Sequence, residues 1–132
     1  MDITYSSEHC PNDSELKELF STVEWQVSRH IDRLSAAMYK YDNLITAWDG
    51  ARLVGLVCSL DDGAVTAYIN YLIVHPDYQR MGIGKELMRR ILNEYRDFMR
   101  VELIADAGAA KFYDKLDFGA INAVPMCFLP DA

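Results

Sequence analysis

Residues 68–96 read Tyr-Ile-Asn-Tyr-Leu-Ile-Val-His-Pro-Asp-Tyr-Gln-Arg-Met-Gly-Ile-Gly-Lys-Glu-Leu-Met-Arg-Arg-Ile-Leu-Asn-Glu-Tyr-Arg, and their order decides the fold. Tyr68 to Val74 is an apolar run broken only by Asn70, as expected of a central strand buried on both faces. His75-Pro76 stops it. From Lys85 to Arg96 the period changes: Leu87, Ile91 and Tyr95 share one helical face, with Met88 and Leu92 beside them. Between strand and helix lies Gln79-Arg80-Met81-Gly82-Ile83-Gly84-Lys85. Glycine there lets the backbone turn tightly and approach a ligand. The helix start offers free N–H groups and a positive dipole end, which suits a phosphate. Arg80, Lys85, Arg89 and Arg90 add positive charge.

Upstream of this unit, Leu44 to Trp48 reads as a strand, Asp49-Gly50 as a hairpin turn and Arg52 to Leu60 as the return strand. Asp62-Gly63 marks a second turn. The first forty residues read as helical. Asn12 and Glu15 form a capping-box pattern ahead of Leu16, Leu19, Phe20 and Val23, and a second helix is expected over Arg29 to Ala37. Downstream, Val101 to Ala105 reads as a strand and Ala109 to Leu116 as a helix, and the chain is expected to be extended from Phe118 to near Phe128. The order predicts an α+β domain of three layers, α/β/α, around one mixed, mostly antiparallel sheet, with residues 1–132 as a single domain.

Composition narrows the function. With 51% hydrophobic and 25% charged residues in 132, the chain can build a real core. A net charge of −7 argues against general nucleic-acid binding and favours cationic ligands such as amines, although it also serves solubility. The cysteines Cys10, Cys58 and Cys127 and the histidines His9, His30 and His75 have no ligand-like spacing, so no metal is expected. The N-terminus lacks the pattern of a signal peptide, and the longest apolar stretches are too short to span a bilayer. A cytoplasmic protein without membrane contact is the expectation. The third glycine of G-x-G-x-x-G is absent, since Leu87 stands there, and no G-K-S/T follows, which removes the dinucleotide and P-loop readings.

Val74-His75-Pro76-Asp77-Tyr78-Gln79-Arg80-Met81-Gly82-Ile83-Gly84 resembles the signature of the GNAT superfamily of N-acetyltransferases, Q/R-x-x-G-x-G/A after a strand ending in V-x-P-x-Y/F. Phe112-Tyr113-Asp114-Lys115-Leu116-Asp117-Phe118 resembles its second motif, F-Y-x-K-x-G-F. The two in order, with a strand between them, are far more specific than either alone. The resemblance runs from about Leu44 to Phe118, and the N-terminal helices fit it too. It looks closest to short, stand-alone bacterial-type members, with a first helix ending at Trp25 and a C-terminal strand at Pro125-Met126-Cys127-Phe128.

The resemblance implies acetyl-CoA as acyl donor, with its pyrophosphate on the amides of Gln79, Arg80, Met81, Gly82, Ile83, Gly84 and Lys85. Leu72, Ile73 and Val74 would pair with the pantetheine through backbone groups. Asp106, Phe112 and Lys115 would line the other side, Lys115 being equally readable as solvated. Tyr113 matches the family's acid: a phenol with a reference pKa of about 10 can donate to a thiolate of about 8.5. No strong base stands at the strand positions Tyr68 or Asn70, so amine deprotonation is expected through ordered water. Glu24, Trp25, Tyr68 and Asn70 are candidate substrate residues, and Trp25, Tyr39, Tyr41 and Tyr68 would line an aromatic pocket or serve as core. The expected acceptor is a small-molecule primary amine. A protein or peptide acceptor, or a non-enzymatic acyl-CoA-binding module, are the alternatives, and a homodimer is a family habit. Asp117 replaces the motif's glycine and would have to adopt the left-handed conformation.

Overall fold

A computed structural model describes residues 2–130. The chain divides into two compact units, Met1–Glu102 and Leu103–Ala132. The first holds strand β1 (Ile3–Ser6), helices α1 (Asp13–Phe20) and α2 (Ile31–Met38), strands β2 (Asn43–Asp49), β3 (Arg52–Asp61) and β4 (Thr66–Val74), helix α3 (Ile83–Asn93) and most of strand β5 (Arg100–Leu103). The strands lie in the order β1-β2-β3-β4-β5, and β1 to β4 are antiparallel neighbours. The sheet as a whole is mixed, as expected.

Local sequence explains these elements. Asn12 Oδ1 accepts the Glu15 N–H at 2.8 Å while Glu15 Oε1 accepts the Asn12 N–H at 2.9 Å, so the capping box starts α1. Gly50 and Gly63 take positive φ at the two hairpin turns. Side chains alternate across β3. Leu56 joins Leu16, Leu19, Phe20, Leu34, Met38, Trp48 and Ile73 in one buried cluster beneath α1 and α2. Its neighbour Gly55 faces α3, where an added Cβ would lie 3.2 Å from both the Leu87 side chain and the Ile73 carbonyl. Glycine at this position lets α3 settle close to the sheet. Burial of Ile83, Leu87, Met88 and Ile91 completes the second interface.

Several expectations need correction. Residues 3–6 form an edge strand, not helix, because they pair with the distant β2, with Ile3 opposite Asp49 and Ser6 opposite Thr46. α1 ends at Phe20, so Trp25 does not end it; Trp25 precedes a short 3₁₀ turn over Gln26–Arg29. α3 ends at Asn93, where the Glu94 and Tyr95 N–H groups bond tightly back to Ile91 and Leu92. Tyr95 then buries its ring and meets Ser59, Asn43 and Asp61 through its hydroxyl.

The second unit contains a 3₁₀ turn (Ala107–Ala109) and helix α4 (Ala110–Asp114), shorter than the helix expected over Ala109 to Leu116. The C-terminal strand is not formed: no strand occurs among described residues 119–130, and Val124, Met126 and Phe128 are exposed. Alternating apolar residues are not enough where Pro125 removes a ladder donor and no partner strand is supplied.

Candidate functional site

The glycine loop follows β4 as expected. Arg80 has φ 65° and Gly82 φ 82°, so the backbone turns through the left-handed region twice before α3 begins. Gly82 is the N-cap and supplies no side-chain bond; the first helical bond runs from the Glu86 N–H to the Gly82 carbonyl at 3.0 Å. The N–H groups of Ile83, Gly84 and Lys85 therefore have no intrahelical acceptor. Gln79, Arg80, Met81, Gly82 and Lys85 are exposed beside them. These features fit a pyrophosphate group: an uncapped helix start, a glycine with open space around it, and two cations at its lip.

The positive patch is smaller than the sequence suggests. Glu86 pairs with Arg89 at 2.6 Å and with Arg90 at 2.7 Å, and these guanidinium groups hold its carboxyl at about 2. Arg90 also lies 4.5 Å from the centre of the Tyr5 ring. Among the described residues, Arg80 and Lys85 make no ion pair and remain the cations at the loop.

β4 carries a bulge that the sequence does not announce. Tyr71 sits opposite Cys58 and Ile69 opposite Ser59, which leaves Asn70 as the extra residue. The extra residue moves Tyr71 to the face opposite that of Ile69, beneath α1 and α2. There Tyr71 stacks on Trp25, with ring centroids 5.6 Å apart and a 19° interplanar angle, and meets Phe20 and Tyr41 edge-on. The Asn70 amide donates to the Tyr41 hydroxyl. Burial pushes the Tyr41 hydroxyl up, and pushes the Cys58 thiol up to about 12, so both stay protonated near neutral pH. The structure thus brings Trp25 and Asn70 into one aromatic cluster and adds Tyr71, which sequence reasoning missed. Glu24 is exposed, and Tyr39, at 71% exposure, does not join the cluster. Tyr68 is half-buried on β4.

Of the pantetheine candidates, Ile73 is buried and Leu72 and Val74 are half-buried. β5 has four residues against nine in β4, and the chain enters β5 at the Val65 end, where the Met99 and Arg100 N–H groups bond to the Val65 carbonyl. So short a strand starting there stops before the Leu72–Val74 end of β4. In the second unit, Tyr113 packs edge-on against Phe112 and Phe118, at 5.1 and 5.9 Å. Burial, and then the Asp106 charge, push its hydroxyl up, which keeps it protonated. Asp117 adopts φ 67°, the left-handed conformation required there, and the Phe118 N–H reaches the Tyr113 carbonyl at 3.1 Å. Lys115 and Asp106 are exposed.

Residues 11–118 match the family model described as acetyltransferase (GNAT) family. The chain belongs to the GNAT family. A relative described as uncharacterized N-acetyltransferase ycf52, from Porphyra purpurea, is 30% identical over 79% of this chain and 63% of its own length. The chain thus spans less than two thirds of that relative. A histone acetyltransferase from Glycine max is 35% identical over 52% of this chain and 31% of its own length. Among solved structures, a GNAT family acetyltransferase from Streptococcus pneumoniae superposes with a TM-score of 0.86 at 25% identity, covering 99% of this chain and all of that one.

Proposed function

We propose that the chain is a single-domain acetyl-CoA-dependent N-acetyltransferase that acetylates a primary amine, most simply of a small molecule. The observation that carries this is the uncapped α3 start behind left-handed Gly82, flanked by unpaired Arg80 and Lys85. Acetyl-CoA brings an activated thioester. The amides of residues 79–85 hold its phosphates, and the Leu72–Val74 backbone, with the end of β4 beyond the reach of β5, offers groups to its pantetheine. Asp106, with Phe112 and Lys115 of the second motif, would line the donor.

A direct attack fits this chain's groups. Cys58 is buried and held protonated, so it is no nucleophile for an acyl-enzyme. The amine nitrogen bonds to the acetyl carbon, the carbon–sulfur bond breaks, and the amine's proton, carried off by water, replaces the one that Tyr113 gives to the sulfur. Tyr113, held protonated, is the donor to the developing thiolate. Ordered water removes the amine's proton, since Asn70 and Tyr68 are no bases. The cluster of Trp25, Tyr41 and Tyr71 favours an aryl or cationic amine. The soybean relative favours a second reading, in which the amine belongs to a protein or peptide. Among the described residues no helix is long and apolar enough to cross a membrane. We infer a cytoplasmic setting and a homodimer, without contact to nucleic acid.

The test is thiol release from acetyl-CoA over arylalkylamines, polyamines and histone-tail peptides. Turnover with the first two classes supports the small-molecule reading, and turnover with peptides alone moves it to protein acetylation. Cofactor binding without turnover on any amine would reduce the chain to an acyl-CoA-binding module.

A further inference from the structure

The phosphate loop makes few bonds of its own. Its backbone is tied by His75 N–H to the Val54 carbonyl at 2.8 Å, by Tyr78 N–H to the His75 carbonyl at 2.9 Å and by Gln79 N–H to the Pro76 carbonyl at 3.4 Å, and the Gln79 side chain donates to the Val74 carbonyl at 3.2 Å. Beyond Gln79 the chain is exposed as far as Gly82, through both left-handed residues. At its root the loop is anchored by two buried side chains, His75 and Tyr78, at 8% and 7% exposure. Both are gripped from the β2–β3 hairpin. The Tyr78 hydroxyl donates to Asp49 Oδ2 at 2.5 Å. Arg52 Nη2 lies 3.2 Å from His75 Nε2, and its guanidinium sits 5.7 Å from the centre of the Tyr78 ring. Arg52 Nε donates to Glu18 Oε1 on α1 at 2.7 Å.

One guanidinium thus meets α1 and both roots of the loop, which its planar fork of donors allows and an ammonium does not. His75 Nδ1 also lies 3.1 Å from the Asp77 N–H. A neutral imidazole carries one N–H, so only one of its two nitrogen contacts is a hydrogen bond at a time. The Asp77 N–H donates to Nδ1, so Arg52 braces the ring by close packing at Nε2.

We propose that Arg52 is a positioning residue for the phosphate-binding loop, acting through His75 and Tyr78. This rests on the reading of that loop as the CoA site. Arg52 touches neither the loop amides nor the aromatic cluster in any contact described above; it sets where the loop leaves the sheet. Its loss should weaken only ligands that carry the pyrophosphate.

The experiment titrates wild type, Arg52→Leu and Arg52→Lys with CoA, and measures kinetics with acetyl-CoA and with S-acetylpantetheine, which lacks the nucleotide half. Expected for Arg52→Leu is a CoA Kd and an acetyl-CoA KM raised about tenfold, equivalent to about 1.4 kcal/mol. Saturated kcat and the S-acetylpantetheine kcat/KM stay unchanged, and Arg52→Lys does not rescue. Tyr78→Phe, which loses the hydroxyl's bond to Asp49 and its contact with Arg52, should raise the CoA Kd about threefold and so checks the same brace from the loop side. An Arg52→Leu protein that melts as wild type does and binds CoA as tightly overturns the role of Arg52, as does an equal loss with S-acetylpantetheine. Absence of CoA binding in the wild type overturns the loop reading itself, and this inference with it.

Discussion

Residues 43–95 and residues 103–130 both carry strong sequence patterns, and they fare differently. In the first stretch every signal has a partner. Asp49-Gly50 turns between strands that pair, the apolar run at 66–74 has β3 beside it, and the 83–93 helix has Gly55 to settle on. In the second, Val124, Met126 and Phe128 alternate as cleanly as a strand should, yet all are exposed and no strand forms there. A pattern states what a segment can bury; only a surface to bury it against makes an element.

The sharpest way to break this contrast is a pair of truncations. Leu56→Ala removes a fully buried side chain from the cluster under α1 and α2 and should cost about 3 kcal/mol in urea unfolding. Phe128→Ala should stay within about 0.5 kcal/mol of wild type. Equal losses would mean that the C-terminal segment is packed after all. Next comes chemistry in the second unit. Tyr113→Phe keeps the ring against Phe112 and Phe118 but loses the proton, so kcat should fall about 100-fold with little change in melting temperature. An unchanged kcat would leave Tyr113 a packing residue.

Gly55→Ala sharpens the contrast at the α3 interface. The new methyl meets the Ile73 carbonyl and Leu87 at 3.2 Å, with Ile83 at 3.4 Å, and these neighbours must give by a few tenths of an ångström. A loss of about 1–2 kcal/mol is expected, together with weaker CoA binding, because Ile83 opens the helix that holds the phosphates. Unchanged stability would show that the helix is not seated on this glycine. The smallest effect is electrostatic. The folded Glu86 carboxyl sits at about 2, below its ordinary 4.5, so its contribution is present above that ordinary value and fades as pH falls toward 2. Glu86→Gln should lower stability by a few tenths of a kcal/mol at pH 7, and the gap should close between pH 4.5 and 2. A gap that persists at pH 2 would locate the effect elsewhere.

What was legible in the sequence was local. The capping box at Asn12 and Glu15, the glycine turns, the loop from Gln79 to Lys85 and the left-handed Asp117 depend on neighbours a few residues away, and each was found. What was missed is set by residues distant in sequence. β1 exists because Ile3–Ser6 pairs with a strand some forty residues on. The bulge at Asn70 is visible only in register against β3, and with it Tyr71 enters the aromatic cluster. Pairing to Glu86 removes Arg89 and Arg90 from the basic patch expected at the loop. Arg52, an ordinary strand-opening residue in sequence, touches His75 and Tyr78 only once the hairpin is folded.

Isothermal titration with acetyl-CoA, on wild type and on Gly82→Asp, tests the central claim most directly. The substitution sets a side chain and a negative charge at a left-handed position in front of the uncapped helix. Expected are one-site binding by the wild type and a Kd raised at least about 100-fold in the variant, equivalent to about 2.7 kcal/mol. A folded wild type that binds no acetyl-CoA, or a variant that binds it as well, would contradict that claim.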